Sequence, residues 1–325
     1  MAFTPVAVPK SILGYHRVLS PTAGVRVSPL CLGVMNFVIS KVCTVRKQAM
    51  GECNKETAFE ILDYFFEQGE NFIDTLKNSI NTSLKKLGAD YIDLFFVHWW
   101  DFTASTPKLM QSLNHLIAAG KVLYLGISDT PAWVVVKANY YAREHGLTPF
   151  SVYQGKWNAA TRDFERDILP MCENEGMGIA PWGVLGSGDF KTAEQREEDT
   201  GEGRKMFPPK ERNALVAGKL DEIAWRKGTV LTSVALAYIM HKDPCLYPII
   251  GGRKLSHLKG NIEALIVELS DEEVDEIDGV AEFDVGWPMN MLFAADPDSD
   301  RLCGEVGCAG EGQIDQAEEV RVEDL

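Results

Sequence analysis

Apolar and polar residues alternate along the chain in two rhythms. Short, nearly continuous apolar runs stand at Leu30–Asn36, Asn71–Thr75, Tyr91–His98, Val122–Ser128, Phe150–Gln154, Gly178–Trp182 and Leu246–Gly251. Runs of that length and character predict strands buried on both faces. Between them the apolar positions fall at helical spacing. Lys55–Gln68 is read as placing Phe59, Leu62 and Phe66, with Ile61 and Phe65, on one broad face. Pro107–Ala119 follows a Ser/Thr cap and stops at Gly120, and Pro131–His145 opens on Thr130-Pro131 and stops at Gly146. These are common punctuation marks of helix ends. Phe164–Glu175, Glu211–Arg226 and Thr232–His241 complete the helical stretches. Strand and helix taking turns, with short polar links, predict one parallel α/β domain.

The flanks break the rhythm. Residues 1–26 read as an N-terminal extension, 27–295 as the domain, and 296–325 as an acidic, Gly-rich tail that stays disordered. Residues 186–210 are polar, charged and Gly-rich, which predicts a loop or lid. Of the 325 residues 46% are hydrophobic, enough for a sizeable core. A net charge of -15 argues against nucleic acid and anionic membrane surfaces as partners. The 7 cysteines are scattered, without CxxC pairs or a Cys/His set at zinc spacing, so they read as reduced thiols with no metal implied. The N-terminus lacks the pattern of a signal peptide, and no apolar run approaches the ~20 residues of a membrane span. The expectation is a cytoplasmic protein whose partner is a small molecule.

Function in parallel α/β folds gathers at the carboxyl ends of the strands. Here those ends carry Asp74, His98, Ser128-Asp129, Gln154, Trp182 and Gly251-Gly252-Arg253. Any one of them alone reads as a turn or capping residue; in succession they indicate a site. The strand count is one short of a closed barrel of eight. Between Thr75 and Tyr91 the sequence has room for one short helix and nothing more. A strand–helix unit is roughly 30 residues in a barrel of ~250, so the deficit is about one unit.

Taken with their neighbours, these residues resemble the aldo-keto reductase family. NFIDT at Asn71–Thr75, DLFFVHWWD at Asp93–Asp101, GISD at Gly126–Asp129, YQGKWN at Tyr153–Asn158 and PIIGGRKLSHLKGN at Pro248–Asn261 carry the likeness, in order along the chain. VLYLGISDTPAWVVVKAN and APWGVLGSG narrow it to fungal aryl-alcohol dehydrogenases and norsolorinic acid reductases. The resemblance implies a (β/α)8 TIM-type barrel that binds NADP(H) and reduces an aromatic or polyketide aldehyde or ketone to the alcohol. It implies Asp74 and His98 as catalytic residues, where a capping carboxylate and a satisfied imidazole are the structural alternatives. Ser128, Asp129 and Gln154 would hold the carboxamide of the nicotinamide, and Trp182 would stack on its ring. Gly183, Val184, Leu185, Gly186 and Gly188 would approach the pyrophosphate. Gly251, Gly252, Arg253, Lys254 and His257 would surround the 2′-phosphate, and Asn261 would meet the adenine. The chain has no GxGxxG after a first strand, which argues against a Rossmann dehydrogenase.

Two departures from the family pattern stand out. The family's catalytic tyrosine should follow NFIDT by a few residues, and its lysine should end the third strand. Here NFIDT runs directly into Leu76-Lys77-Asn78. The missing strand and the missing Tyr and Lys are thus one contiguous deletion near 75–79, leaving an incomplete, seven-stranded barrel. Phe37–Met50, basic and β-branched, replaces a short polar loop. Together they point to misplaced exon boundaries or a decayed gene, and to a catalytically inactive NADPH-binding relative as the alternative function.

Overall fold

The computed structural model describes residues 9–34, 53–74, 80–197, 211–252, 254–281 and 283–292. The expectations for the basic insert, for residues 75–79, for most of the polar loop, for Arg253 and for the acidic tail lie outside these residues. The chain forms two compact units, Met1–Val285 and Gly286–Leu325. The described part of the second is a turn leading into a short helix, Met289–Leu292.

All seven predicted strands are present. An antiparallel hairpin, β1 (Arg17–Ser20) and β2 (Ala23–Val27), precedes them, all but Val27 within the residues read as an extension. The parallel strands are β3 (Cys31–Gly33), β4 (Ile73–Asp74), β5 (Ile92–Val97) and β6 (Val122–Ser128). They continue with β7 (Phe150–Gln154), β8 (Gly178–Ile179) and β9 (Ile249–Ile250). β4, β8 and β9 are shorter than the apolar runs that announced them. The helices between them are α1 (Lys55–Glu67), α2 (Ile80–Leu87), α3 (Thr106–Ala118) and α4 (Ala132–Glu144). After β7 come α5 (Phe164–Glu175), a short α6 (Ala193–Glu197), α7 (Glu211–Lys227) and α8 (Leu231–Lys242). α9 (Leu255–Glu263) and α10 (Asp271–Asp278) follow β9. The sequence reading did not single out these last two.

The strand order is the fold's main finding. One sheet runs β4-β3-β9 and the other β5-β6-β7-β8. A parallel bridge between Ile179 and Leu246, with Ile249 N donating to Pro181 O at 2.8 Å, joins β8 to the β9 segment. The wall is therefore continuous from β4 round to β5. Among the described residues, those two end strands are not paired with each other. The family fold is an eight-stranded barrel; here the described strands leave one interval in its wall, between β4 and β5.

Inside the wall, Cys31, Phe72, Val152, Ala180 and Tyr247 pack with Leu94, Phe96 and Tyr124, and Leu19, Ala23 and Val27 of the hairpin join them. Gly126 lets the Phe96 ring lie across β6, since a Cβ there would meet the ring at 2.4 Å. Outside, the helices share the larger core with the other strand faces. α1 departs from its predicted face. Ala58, Ile61 and Phe65 are buried, whereas Phe59 and Phe66 are exposed. At about 100° per residue these two phenylalanines stand roughly 150° around the helix from Ile61, so one face cannot bury all five. No helix among the described residues is long and apolar enough to cross a membrane.

Candidate functional site

The strand ends meet at one rim. Asp74 closes β4, Ser128 closes β6 and Gln154 closes β7, with Ser128 opposite Gln154 in the ladder. Gln154 Nε2 donates to Asp74 Oδ1 at 3.4 Å, and the Ser128 hydroxyl lies 3.5 Å from Gln154 Oε1. Asp129 turns off β6 in the left-handed region, φ 43°, and accepts a hydrogen bond from Trp182 Nε1 at 3.2 Å. The Asp129 amide donates to Gln154 O at 3.0 Å and the Ser128 side chain reaches the Asp129 carboxylate, so five of the residues predicted from strand ends form one hydrogen-bonded group. His98, just past β5, joins them by charge, favouring the ionised forms of both Asp74 and Asp129.

Burial dominates the electrostatics. It raises the Asp74 pKa, and the Gln154 hydrogen bond and His98 offset it only in part. Among the described residues, no lysine or tyrosine acts on this carboxyl. Lys77 lies outside them. Tyr153 is the tyrosine next to Gln154 in sequence, but its hydroxyl donates to Thr130 O at 2.7 Å and accepts from Thr130 N at 3.0 Å. Burial pushes that phenol up as well. It has no proton to offer at the rim.

Aromatic rings border His98. Trp99 meets it edge-on at 4.7 Å, and Trp100 lies 4.8 Å from Phe102 and 5.7 Å from Trp133. The turn that carries them is tied by Asp101, which accepts from the amides of Thr103 and Ala104 at 2.9 and 2.7 Å. Phe102 sits at φ 63°, a conformation few side chains adopt, and is 75% exposed with Trp99 and Trp133 also open to solvent.

The segment after β8 has the character of an anion cradle. Gly183 takes φ 72°, and a Cβ there would come within 3.1 Å of Ser187 Oγ. Asn158 Nδ2 fixes the turn by donating to Gly183 O at 2.9 Å. The Ser187 hydroxyl is buried without a hydrogen-bond partner. An orphaned hydroxyl beside a glycine backbone fits a phosphate oxygen. Val184 is buried and Leu185 half-buried, anchoring the turn, while Gly186 and Gly188 also take positive φ. Across the rim, Gly251 and Gly252 follow β9. Lys254 and His257 are exposed at the start of α9, and Asn261 is buried in the same helix.

Sequence reading gave no role to Ser187, Asn158 or Lys156, although all lie within motifs it used. Lys156 places its ammonium 5.9 Å from the centre of the Trp182 ring. For Lys156 and Asn158 the available signal was a polar residue two and four positions beyond the end of β7; for Ser187 it was a hydroxyl between two glycines.

A sequence model of the aldo/keto reductase family matches residues 75–282. The chain is 51% identical to norsolorinic acid reductase A of Aspergillus parasiticus, over 88% of this chain and 86% of that one. It is 47% identical to a norsolorinic acid reductase of Emericella nidulans, over 90% and 88%. An aryl-alcohol dehydrogenase of Pestalotiopsis microspora is 45% identical over 90% and 88%. The chain belongs to the aldo/keto reductase family.

The alignment with the Aspergillus reductase runs over 340 positions, whereas 88% of 325 residues is about 286. About 54 aligned positions therefore stand opposite no residue of this chain. The family match begins at Thr75, the residue after β4.

Proposed function

We propose that the chain binds NADP(H) at the β6–β9 side of the rim and directs it toward an aromatic or polyketide aldehyde or ketone, as a norsolorinic acid reductase-like enzyme of fungal secondary metabolism. The hydrogen-bonded convergence of Asp74, Gln154 and Ser128, with Asp129 and Trp182 beside them, carries this reading. Ser187 and the Gly183–Gly188 backbone would hold the pyrophosphate, Lys254, His257 and Arg253 a 2′-phosphate, and Trp182 a face of the nicotinamide. When bound, NADPH supplies a hydride for the carbonyl carbon, and the carbonyl oxygen takes up a proton. His98 would orient that oxygen and stabilise its developing charge. The open rings of Trp99, Phe102 and Trp133 suit a flat aromatic substrate.

A second reading, cofactor binding without useful turnover, is favoured by the Asp74 environment. A carboxylate paired with a lysine has its pKa lowered, whereas burial raises that of Asp74. No lysine or tyrosine acts on it among the described residues, and loss of a positioned acid costs ~10²–10⁴ in rate. The test is a fluorescence titration of the purified protein with NADPH, followed by turnover of an aromatic aldehyde. Binding with turnover within ~100-fold of a complete relative supports the first reading. Binding without turnover supports the second, and absence of binding overturns both.

A further inference from the structure

The resemblance assigns Asp129 to the carboxamide of the nicotinamide, yet its carboxylate is already engaged, by the Ser128 side chain and by Trp182. Oδ1 accepts the indole N–H of Trp182 at 3.2 Å. The residue takes φ 43° as it leaves β6, a left-handed conformation that asparagine and aspartate tolerate better than most. Its own amide donates to Gln154 O at 3.0 Å, so the backbone is pinned while the side chain reaches across to the next strand end but one. Trp182 is held from below as well. Its amide donates to Gly155 O at 2.9 Å, and it forms a parallel bridge with Lys156. The Lys156 ammonium lies over the indole at 5.9 Å from the centroid.

We propose that Asp129 is a positioning residue: with Lys156 it clamps the Trp182 ring, an anion at the indole N–H edge and a cation over one face. The clamp sets the tilt at which the indole meets a flat ligand. This rests on the cofactor reading above only for what stacks there; the clamp itself belongs to the free protein. A hydrogen bond from a neutral donor to a charged acceptor is among the stronger side-chain contacts, and a fixed ring saves ordering entropy when a second ring stacks on it. The aspartate thus serves the nicotinamide through the tryptophan rather than by touching it.

Two measurements test this. In protein labelled at tryptophan nitrogen, the indole resonance of Trp182, assigned by its loss in Trp182→Phe, should shift in Asp129→Ala and stay near its wild-type place in Asp129→Asn, which keeps an acceptor oxygen. An indole signal that ignores Asp129→Ala overturns the clamp whether or not NADPH binds. The second is a double-mutant cycle on the NADPH dissociation constant. Asp129→Ala should weaken binding about tenfold in the wild-type background and less than about twofold in Trp182→Phe, because its effect passes through the indole N–H. Equal losses in both backgrounds would place Asp129 directly on the cofactor and overturn the proposal. Failure of NADPH to bind wild-type protein would instead count against the cofactor reading, leaving the resonance result to decide the clamp.

Discussion

Glu70 shows how one buried group can set the pH behaviour of the molecule. It immediately precedes the β4 segment, is 4% exposed, and neither carboxyl oxygen has a hydrogen-bond partner. The Ser28 hydroxyl is close enough to favour the anion slightly, but it is directed to Leu30 O at 3.4 Å and Asn71 Oδ1 at 3.3 Å. Burial therefore wins, and the pKa rises from 4.5 to about 8. The folded state then keeps a proton that the unfolded chain releases. Its stability should be greatest below pH ~4.5, fall as pH rises to about 8, and level off above, as far as this group is concerned. Glu70→Gln, which cannot ionise, should flatten that slope and raise stability at pH 8 by a few kcal/mol. Urea unfolding at pH 5, 6.5 and 8 checks it; equal pH slopes for the two proteins would assign the effect elsewhere.

At the scale of elements, β5 carries the clearest liability. Ile92 N donates to Lys121 O at 3.0 Å, so Ile92, Leu94 and Phe96 face β6 in the parallel ladder. The amides of Asp93, Phe95 and Val97 then point to the edge that β4 does not fill. An apolar strand with one unpaired edge is a template for association with another chain. Hydrogen exchange should protect the amides of Leu94 and Phe96 well above those of Phe95 and Val97. Asp93→Pro, which removes only an edge donor, should reduce light scattering in concentrated solution. Equal protection of the two sets of amides would mean that the edge is covered. Strands and helices of this kind were legible in the sequence because burial on both faces and terminal Gly or Pro leave local marks. The hairpin β1–β2 was not, since its meaning lies in packing against Tyr247 and β8 far along the chain. The face of α1 was misjudged for a related reason: five apolar residues crowd its surface, and only its neighbours decide which are buried.

For the whole molecule, the interval between β4 and β5 joins observations that are otherwise unrelated. α1 packs against α9, and in a closed barrel a helix would also lie on its other side. Phe59 and Phe66 on α1, Ile73 on β4, and Leu87 and Tyr91 before β5 are all exposed. About 54 positions present in a 51% identical reductase have no counterpart here, and the family match starts where β4 ends. The strand-end residues could be named from sequence because each closes its own apolar run, and the missing Tyr and Lys show as a gap between ordered motifs; that burial and Gln154, rather than a lysine among the described residues, set the state of Asp74 needed the assembled rim. Grafting the relative's segment that follows its aspartate strand between Asp74 and Ile80 should therefore change two properties together. It should cover exposed apolar surface and close the wall, raising the urea m-value and the thermal midpoint. By supplying a proton donor it should also raise turnover of an aromatic ketone by ~10²–10⁴ while changing NADPH affinity little. A gain in stability without a gain in rate would show that the wall, and not the acid, is what the chain lacks. A graft that lowers both would mean the interval is already occupied in the native chain, and that β4 and β5 are not the edges they are taken to be.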